Sequence, residues 1–247
     1  LRAADHLFAQ TERERRYLVA HGVAPARMTL APPAIDPVEL EGGDAARFRA
    51  QRGIALPFVC FLGTAAYDKG AVHLIEAMRQ LWAQGMDIDL VLAGPLFDHV
   101  RDRLAALRAD ERARCHVLGY VSEEEKCDLL AALDVLALPS RTDSFGIVFL
   151  EAWLYGKPVI GARAGGVPEV IDDGRDGVLV DFGDVPGLAA RIVQLIADRD
   201  LAARLGAAGR AKVLAEHTWE RRYATVRAAL ERTIAARARP LLSIGRG

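Results

Sequence analysis

Six short apolar runs separated by amphipathic stretches leave this chain one economical way to bury itself, as a parallel sheet with helices on both faces. The runs fall at 58–62, 88–93, 115–118, 135–138, 158–161 and 178–180. Helical patterning covers 71–84, 96–108, 123–133, 145–155, 185–197, 201–216 and 219–236. In a doubly wound α/β sheet of this kind, ligands sit beyond the carboxyl ends of the strands. The loops after Leu62, Ala93, Leu118, Leu138 and Gly161 are therefore expected to form one rim.

On that rim one carboxylate stands out. Glu151 is the only charge between Phe145 and Tyr155. A buried ion without partners costs several kcal/mol, so Glu151 should face a pocket with hydroxyl or basic partners, such as the hydroxyls of a ribose. Asp143 lies eight positions earlier, just ahead of the helix, where it or Ser144 can cap free backbone amides. Those amides and the helix dipole attract anions. A carboxylate for sugar hydroxyls beside amides for phosphate reads as a nucleotide-sugar site.

Other rim segments are weaker alone. Gly63-Thr64-Ala65-Ala66-Tyr67-Asp68-Lys69-Gly70 leads from the first main strand into a helix, with glycine allowing close approach to a ligand and Lys69 supplying a point charge for a diphosphate. Alone it reads more readily as a plain turn with a solvated lysine, and pairing with the amides near Ser144 on the same rim reverses that preference. Gly165-Gly166-Val167-Pro168-Glu169 gives a tight turn into a helix start, either as a cap or as a ligand contact. Gly119-Tyr120-Val121 ends another strand, where backbone can meet a flat base edge.

Composition narrows the class. With 247 residues, 51% hydrophobic and 26% charged, the chain can bury one large domain or one domain plus part of another. Lys and Arg number 32 against 33 Asp and Glu, which gives no electrostatic case for nucleic acid as a partner. Cys60, Cys115 and Cys127 stand singly and read as core thiols in a reducing cytoplasm. No apolar run is long enough to span a bilayer. The six histidines, His6, His21, His73, His99, His116 and His217, show no spacing for zinc, and His73 is the one nearest the expected rim. No metal or other cofactor is expected. Neither a nucleophile elbow nor a G-x-G-x-x-G is present, which argues against a serine hydrolase and a dinucleotide-dependent dehydrogenase.

The first 36 residues differ. Thr11 and Glu14 form a capping-box pattern after Leu7-Phe8-Ala9, opening a basic helix that stops at Gly22, and Ala31 to Pro37 reads as a proline-stiffened linker. A lone strand and helix cannot bury a core, so they either dock on the main domain or end a preceding domain; the start at Leu1 favours the latter. Three segments are expected: 1–36 as remnant and linker, 37–225 as donor-binding domain, and 226–247 as helix end and basic tail, mobile from Arg237.

Taken in order, Gly63 to Gly70, Gly119-Tyr120-Val121, Leu138-Pro139-Ser140, Asp143-Ser144-Phe145-Gly146 with Glu151, Gly156-Lys157-Pro158-Val159, Gly165 to Glu169, and His217-Thr218-Trp219-Glu220 resemble the nucleotide-sugar-binding domain of retaining family-4-type glycosyltransferases, glycosyl transferases group 1, with the GT-B fold. The resemblance covers most of the chain from Phe58 to Tyr223. It implies a Rossmann-like domain, the C-terminal half of a two-domain enzyme that moves a sugar from a nucleotide-diphosphate donor to a hydroxyl acceptor with retention. Asp143 and Lys69 are implied as catalytic, near the transferred sugar and the diphosphate. Glu151 is implied to hold the ribose, Val121 backbone the base, and Gly63, Thr64 and the amides of Ser144, Phe145, Gly146, Ile147 and Val148 the phosphates.

The implied setting is cytoplasmic, at the inner face of the membrane, in biosynthesis of a polysaccharide or glycoconjugate. The sugar or lipid-linked acceptor, and any peripheral membrane contact, would involve the domain this chain lacks, and the isolated chain should be inactive. Two positions depart from the family: Asp143 stands where glutamate is usual, and Thr64 where an arginine usually joins the lysine. Lys69, helix dipoles and Arg141 or Arg163 would have to compensate. A catalytically silent nucleotide-sugar-binding module is the alternative.

Overall fold

The computed structural model describes residues 3–238, so the tail from 239 onward lies outside the described residues. Its main domain carries a six-stranded sheet of β3 (Phe58–Leu62), β4 (Asp89–Ala93), β5 (Cys115–Gly119), β6 (Val135–Leu138), β7 (Val159–Ala162) and β8 (Val178–Val180). The order is β5-β4-β3-β6-β7-β8, with every pairing parallel. All residues of β3, β4 and β6 are buried, as continuous apolar runs require when helices cover both faces.

The covering helices are α3 (Ala71–Ala83), α4 (Asp98–Ala105), α5 (Ala109–Arg112), α6 (Glu123–Ala132), α7 (Ile147–Leu154), α8 (Val185–Ala197), α9 (Arg199–Glu216) and α10 (Trp219–Ala238). Helix α2 (Ala45–Arg52), which the apolar pattern did not mark, is held by Asp44 capping the Ala46 and Arg47 amides and buries Phe48 against Phe58. The expected 96–108 helix starts late, because Leu96 is drawn into an extended bridge with Ala65, and it breaks before a second short turn of helix. The 145–155 helix begins only at Ile147, since Gly146 takes φ 85°, a left-handed conformation outside the helix.

The N-terminal segment makes a sheet of its own. β1 (Leu7–Ala9) pairs in parallel with β2 (Met28–Leu30), a strand the sequence reading omitted, and α1 (Glu12–Ala20) covers them. Ala9, Leu18, Val23 and Met28 form a core separate from the main one. Thr11 caps the Glu14 amide as expected, while the Glu14 carboxylate takes the Gln10 amide. The linker then meets the main domain at Ile35, whose amide donates to His217 and whose carbonyl accepts from Trp219. At its far end α10 returns to the N-terminal segment through Arg237 and Asp5, 2.7 Å apart.

Candidate nucleotide-sugar site

The chain runs outward from β3 through β4 to β5 and then returns to the other side of β3 as β6, so the sheet changes direction between β3 and β6. Crevices form where connections diverge in this way. The loops flanking this one are Gly63 to Gly70 and Pro139 to Gly146. They are sewn together: Arg141 N donates to Asp68 O at 3.0 Å, and the Thr142 hydroxyl to the Asp68 carboxylate at 2.7 Å. That hydroxyl bond holds the Asp68 carboxyl below its ordinary range.

Across the crevice Lys69 Nζ reaches Asp143 Oδ1 at 2.7 Å. The other Asp143 oxygen, Oδ2, is buried without a hydrogen-bond partner. Leaving a buried acceptor unmade costs about 1–3 kcal/mol, more when charged, so this oxygen is one that the fold itself does not satisfy. The backbone around it is fixed by the paired glycines: Gly166 N donates to Asp143 O at 2.9 Å, and a Cβ on Gly166 would run into the Ser144 carbonyl. The glycines thus serve close backbone approach.

Beyond Asp143, Phe145 is buried and meets the His217 ring edge-on at 5.5 Å. The expected cap by Asp143 or Ser144 does not form. Gly146 is the N-cap and offers no side chain, so the first amides of α7, at Ile147 and Val148, lack a side-chain acceptor and can receive an anion. Gly63, at φ 137°, has open space where a side chain would stand, and Thr64 beside it is exposed. Arg163 is occupied elsewhere, 2.9 Å from Asp173 and 3.6 Å from Asp181. Arg141 remains at the crevice, stacked over Phe182 at 5.0 Å and beside Tyr67.

Glu151 lies a turn further along α7, and its basic partner is Lys126 of α6, 3.2 Å away. Sequence spacing gave no hint of this lysine, because the two side chains, 25 residues apart in sequence, meet only in the folded chain. Burial works to lower the Lys126 pKa, yet its bond to Glu123 and the charge of Glu151 raise it overall. The pair lines a small cavity closed by Ile35, Asp36 and Trp219. Val121, next to Ser122 that caps α6, follows the end of β5 on the same rim.

His73, the histidine placed nearest the rim, packs edge-on against Phe182 and Tyr67 with its Nδ1 buried and unpartnered. Burial and the adjacent Arg141 lower its pKa. Glu169 does not cap its own helix start. Its carboxylate accepts the Glu12 and Arg13 amides of α1 at 2.5 and 2.7 Å. Among the described residues no cluster of His, Cys, Asp and Glu has the makings of a metal site, and no helix is long and apolar enough to cross a membrane.

A model of the family glycosyl transferases group 1 matches residues 44–212. The GDP-mannose-dependent alpha-(1-6)-phosphatidylinositol monomannoside mannosyltransferase of Mycobacterium tuberculosis is 32% identical over 86% of this chain and 58% of its own. The D-inositol 3-phosphate glycosyltransferase of Corynebacterium glutamicum is 32% identical over 82% of this chain and 51% of its own. The chain spans about half the length of the curated relatives it matches.

Among solved structures, Anabaena Alr3699/HepE in complex with UDP superposes with a TM-score of 0.83 at 25% identity, over 93% of this chain and 64% of that one. Sucrose-phosphate synthase from Thermosynechococcus elongatus gives 0.76 at 27% identity, over 98% and 59%. With its parallel sheet, its diverging β3 and β6 loops and this match across two-thirds of its length, the chain belongs to the glycosyl transferases group 1 family.

Proposed function

We propose that this chain is the donor-binding half of an enzyme that moves a sugar from a nucleoside-diphosphate carrier to a hydroxyl acceptor with retention of configuration. The observation that carries the reading is the Lys69–Asp143 pair at the crevice, with Asp143 Oδ2 buried and unpartnered. Lys69 faces the diphosphate and Asp143 a hydroxyl of the transferred sugar. As the sugar–phosphate bond breaks, negative charge gathers on the leaving diphosphate. Lys69 and the open amides at Ile147 and Val148 stabilise it without a metal.

Glu151, held by Lys126, takes the ribose hydroxyls, and backbone at Val121 meets the base. The relatives named as GDP-mannose-dependent and the UDP complex of Alr3699/HepE support a nucleotide-sugar donor. Residues 1–36 belong with the acceptor side, 37–225 form the donor domain, and α10 carries the chain back toward the first segment.

Calorimetry of the chain with UDP, GDP, ADP and their sugars tests donor binding. Anomeric analysis of the product made by the full-length enzyme tests retention. No affinity for any nucleoside diphosphate would refute the reading.

A further inference from the structure

His217-Thr218-Trp219-Glu220 has no part in the contacts that hold diphosphate or ribose. Its tryptophan is 57% exposed, whereas Trp82 and Trp153, the other two in the chain, are buried. The backbone that carries the exposed ring is fixed. The Trp219 amide donates to the Ile35 carbonyl at 3.2 Å, and the Ile35 amide donates to the His217 carbonyl at 2.9 Å.

Trp219 closes a cavity of about 170 Å³ that it shares with Glu151 and Lys126. Pockets that enclose a whole small ligand start at about 300 Å³, so this one takes a single moiety. Its charged lining is Asp36, Glu39, Glu123 and Glu151 against one ammonium, Lys126. That lysine is already engaged by Glu123 at 2.6 Å and by Glu151 at 3.2 Å. Four carboxylates around one cation repel a phosphate and accept N–H and O–H groups. An aromatic face with acceptors around it is a slot for a flat, uncharged ring that carries N–H groups on its edge. A nucleobase has this character. Val121, whose backbone is read as meeting the base, stands two residues before Glu123 of the same lining.

We infer that Trp219 stacks on the base of the donor nucleotide, so that the linker at Ile35 and the first turn of α10 complete the nucleoside subsite. The ribose lies at Glu151, the base lies against Trp219, and the diphosphate leads away from the carboxylates toward Lys69 and the open amides of α7. The inference rests on the donor reading of Glu151 and Lys69. It adds a binding residue from outside the strand-end loops.

Tryptophan emission and calorimetry of the 247-residue chain test this, with UDP, GDP and ADP as probes. Burial shields Trp82 and Trp153, so a base stacked on Trp219 quenches the solvent-facing share of the emission. Inorganic pyrophosphate, which has no base, should leave the emission unchanged. Trp219→Phe keeps an aromatic face, so it should bind the nucleoside diphosphate within about threefold of wild type while the quench disappears. Trp219→Ala should lose about five- to a hundredfold in that affinity, the range for one base stacked on one ring.

Four results overturn the inference: nucleotide binding with the wild-type emission unchanged, an equal quench by pyrophosphate, a quench that persists in Trp219→Phe, or a Trp219→Ala chain, folded by its circular dichroism, that binds as tightly as wild type. Each of them leaves the donor reading standing. The emission of wild type and Trp219→Phe decides the matter even where Trp219→Ala fails to fold. Absence of any nucleoside-diphosphate affinity in the wild-type chain would refute the donor reading and this inference together.

Discussion

Glu169 accepts the backbone amide of Arg13 at 2.7 Å across 156 residues of sequence, and with the Glu12 amide at 2.5 Å it caps a helix to which it does not belong. Thr11 satisfies only the Glu14 amide of that helix. The two amides left open at the start of α1 are therefore closed by a carboxylate from the main domain, with favourable alignment to the helix dipole. This bond joins the small N-terminal core to the loop that positions Asp143, because Gly165 and Gly166 lie four and three residues before Glu169.

Glu169→Ala should consequently loosen the N-terminal segment without unfolding the sheet. Loss of a cap typically costs about 1 kcal/mol. Amide exchange over α1 should quicken several-fold while exchange in β3 and β4 stays slow. Unchanged protection of α1 would show that its own small core holds it.

Lys69→Ala should weaken binding of a nucleoside diphosphate far more than of the bare nucleoside, since only the former presents the charge that Lys69 contacts. Thr64→Arg should tighten the diphosphate, because the face of Gly63 beside it is open. Equal loss for diphosphate and nucleoside in Lys69→Ala would assign this lysine to folding.

Glu151→Gln should lower nucleotide affinity about ten- to a hundredfold with the fold retained, as expected for two hydrogen bonds to a charged acceptor. A nucleotide lacking both ribose hydroxyls should bind wild type and variant alike. A variant that discriminates against this analogue as strongly as the wild type would remove Glu151 from the ribose.

Stability should fall on mild acidification. Burial lowers the pKa of both His217 and His73, so the fold prefers their neutral forms while the unfolded chain protonates near pH 6.5. The unfolded state then binds more protons, and stability present above about pH 6.5 is lost as pH falls toward the folded values. Urea midpoints between pH 7.5 and 5.5 should decline. His217→Gln should flatten the decline, and a profile equally steep in that variant would exclude His217 as a contributor.

Much of this was legible in sequence because burial on both faces of a sheet leaves an unmistakable apolar run. Strands β3, β4, β6 and β8 fall within a residue of expectation for that reason. What escaped depends on partners distant in sequence. β2 has three residues and a weak pattern, and it exists because β1 pairs with it. α2 starts from a polar cap and buries chiefly one phenylalanine.

The site shows the same division. Glu151 announced itself as a lone charge among apolar neighbours, whereas Lys126 sits among acids on an ordinary-looking helix. Asp143 lay where a cap was expected, yet the glycine that follows took that position and left the aspartate side chain for Lys69. Glu169 sat in a familiar turn signal, and its true partners, the Glu12 and Arg13 amides, carry no sequence signature at all.

The bridge at Ile35 gives the molecule a mechanical character. Two strands of chain run between the small core and the sheet domain, the linker and α10, and they are stitched to each other where Ile35 meets His217 and Trp219. Beside that stitch lies His217, whose ring leans on Phe145, two residues from Asp143. The linker, the end of α9 and the loop that presents Asp143 therefore share one continuous line of contact, so a change at Ile35 has a short physical route to the crevice.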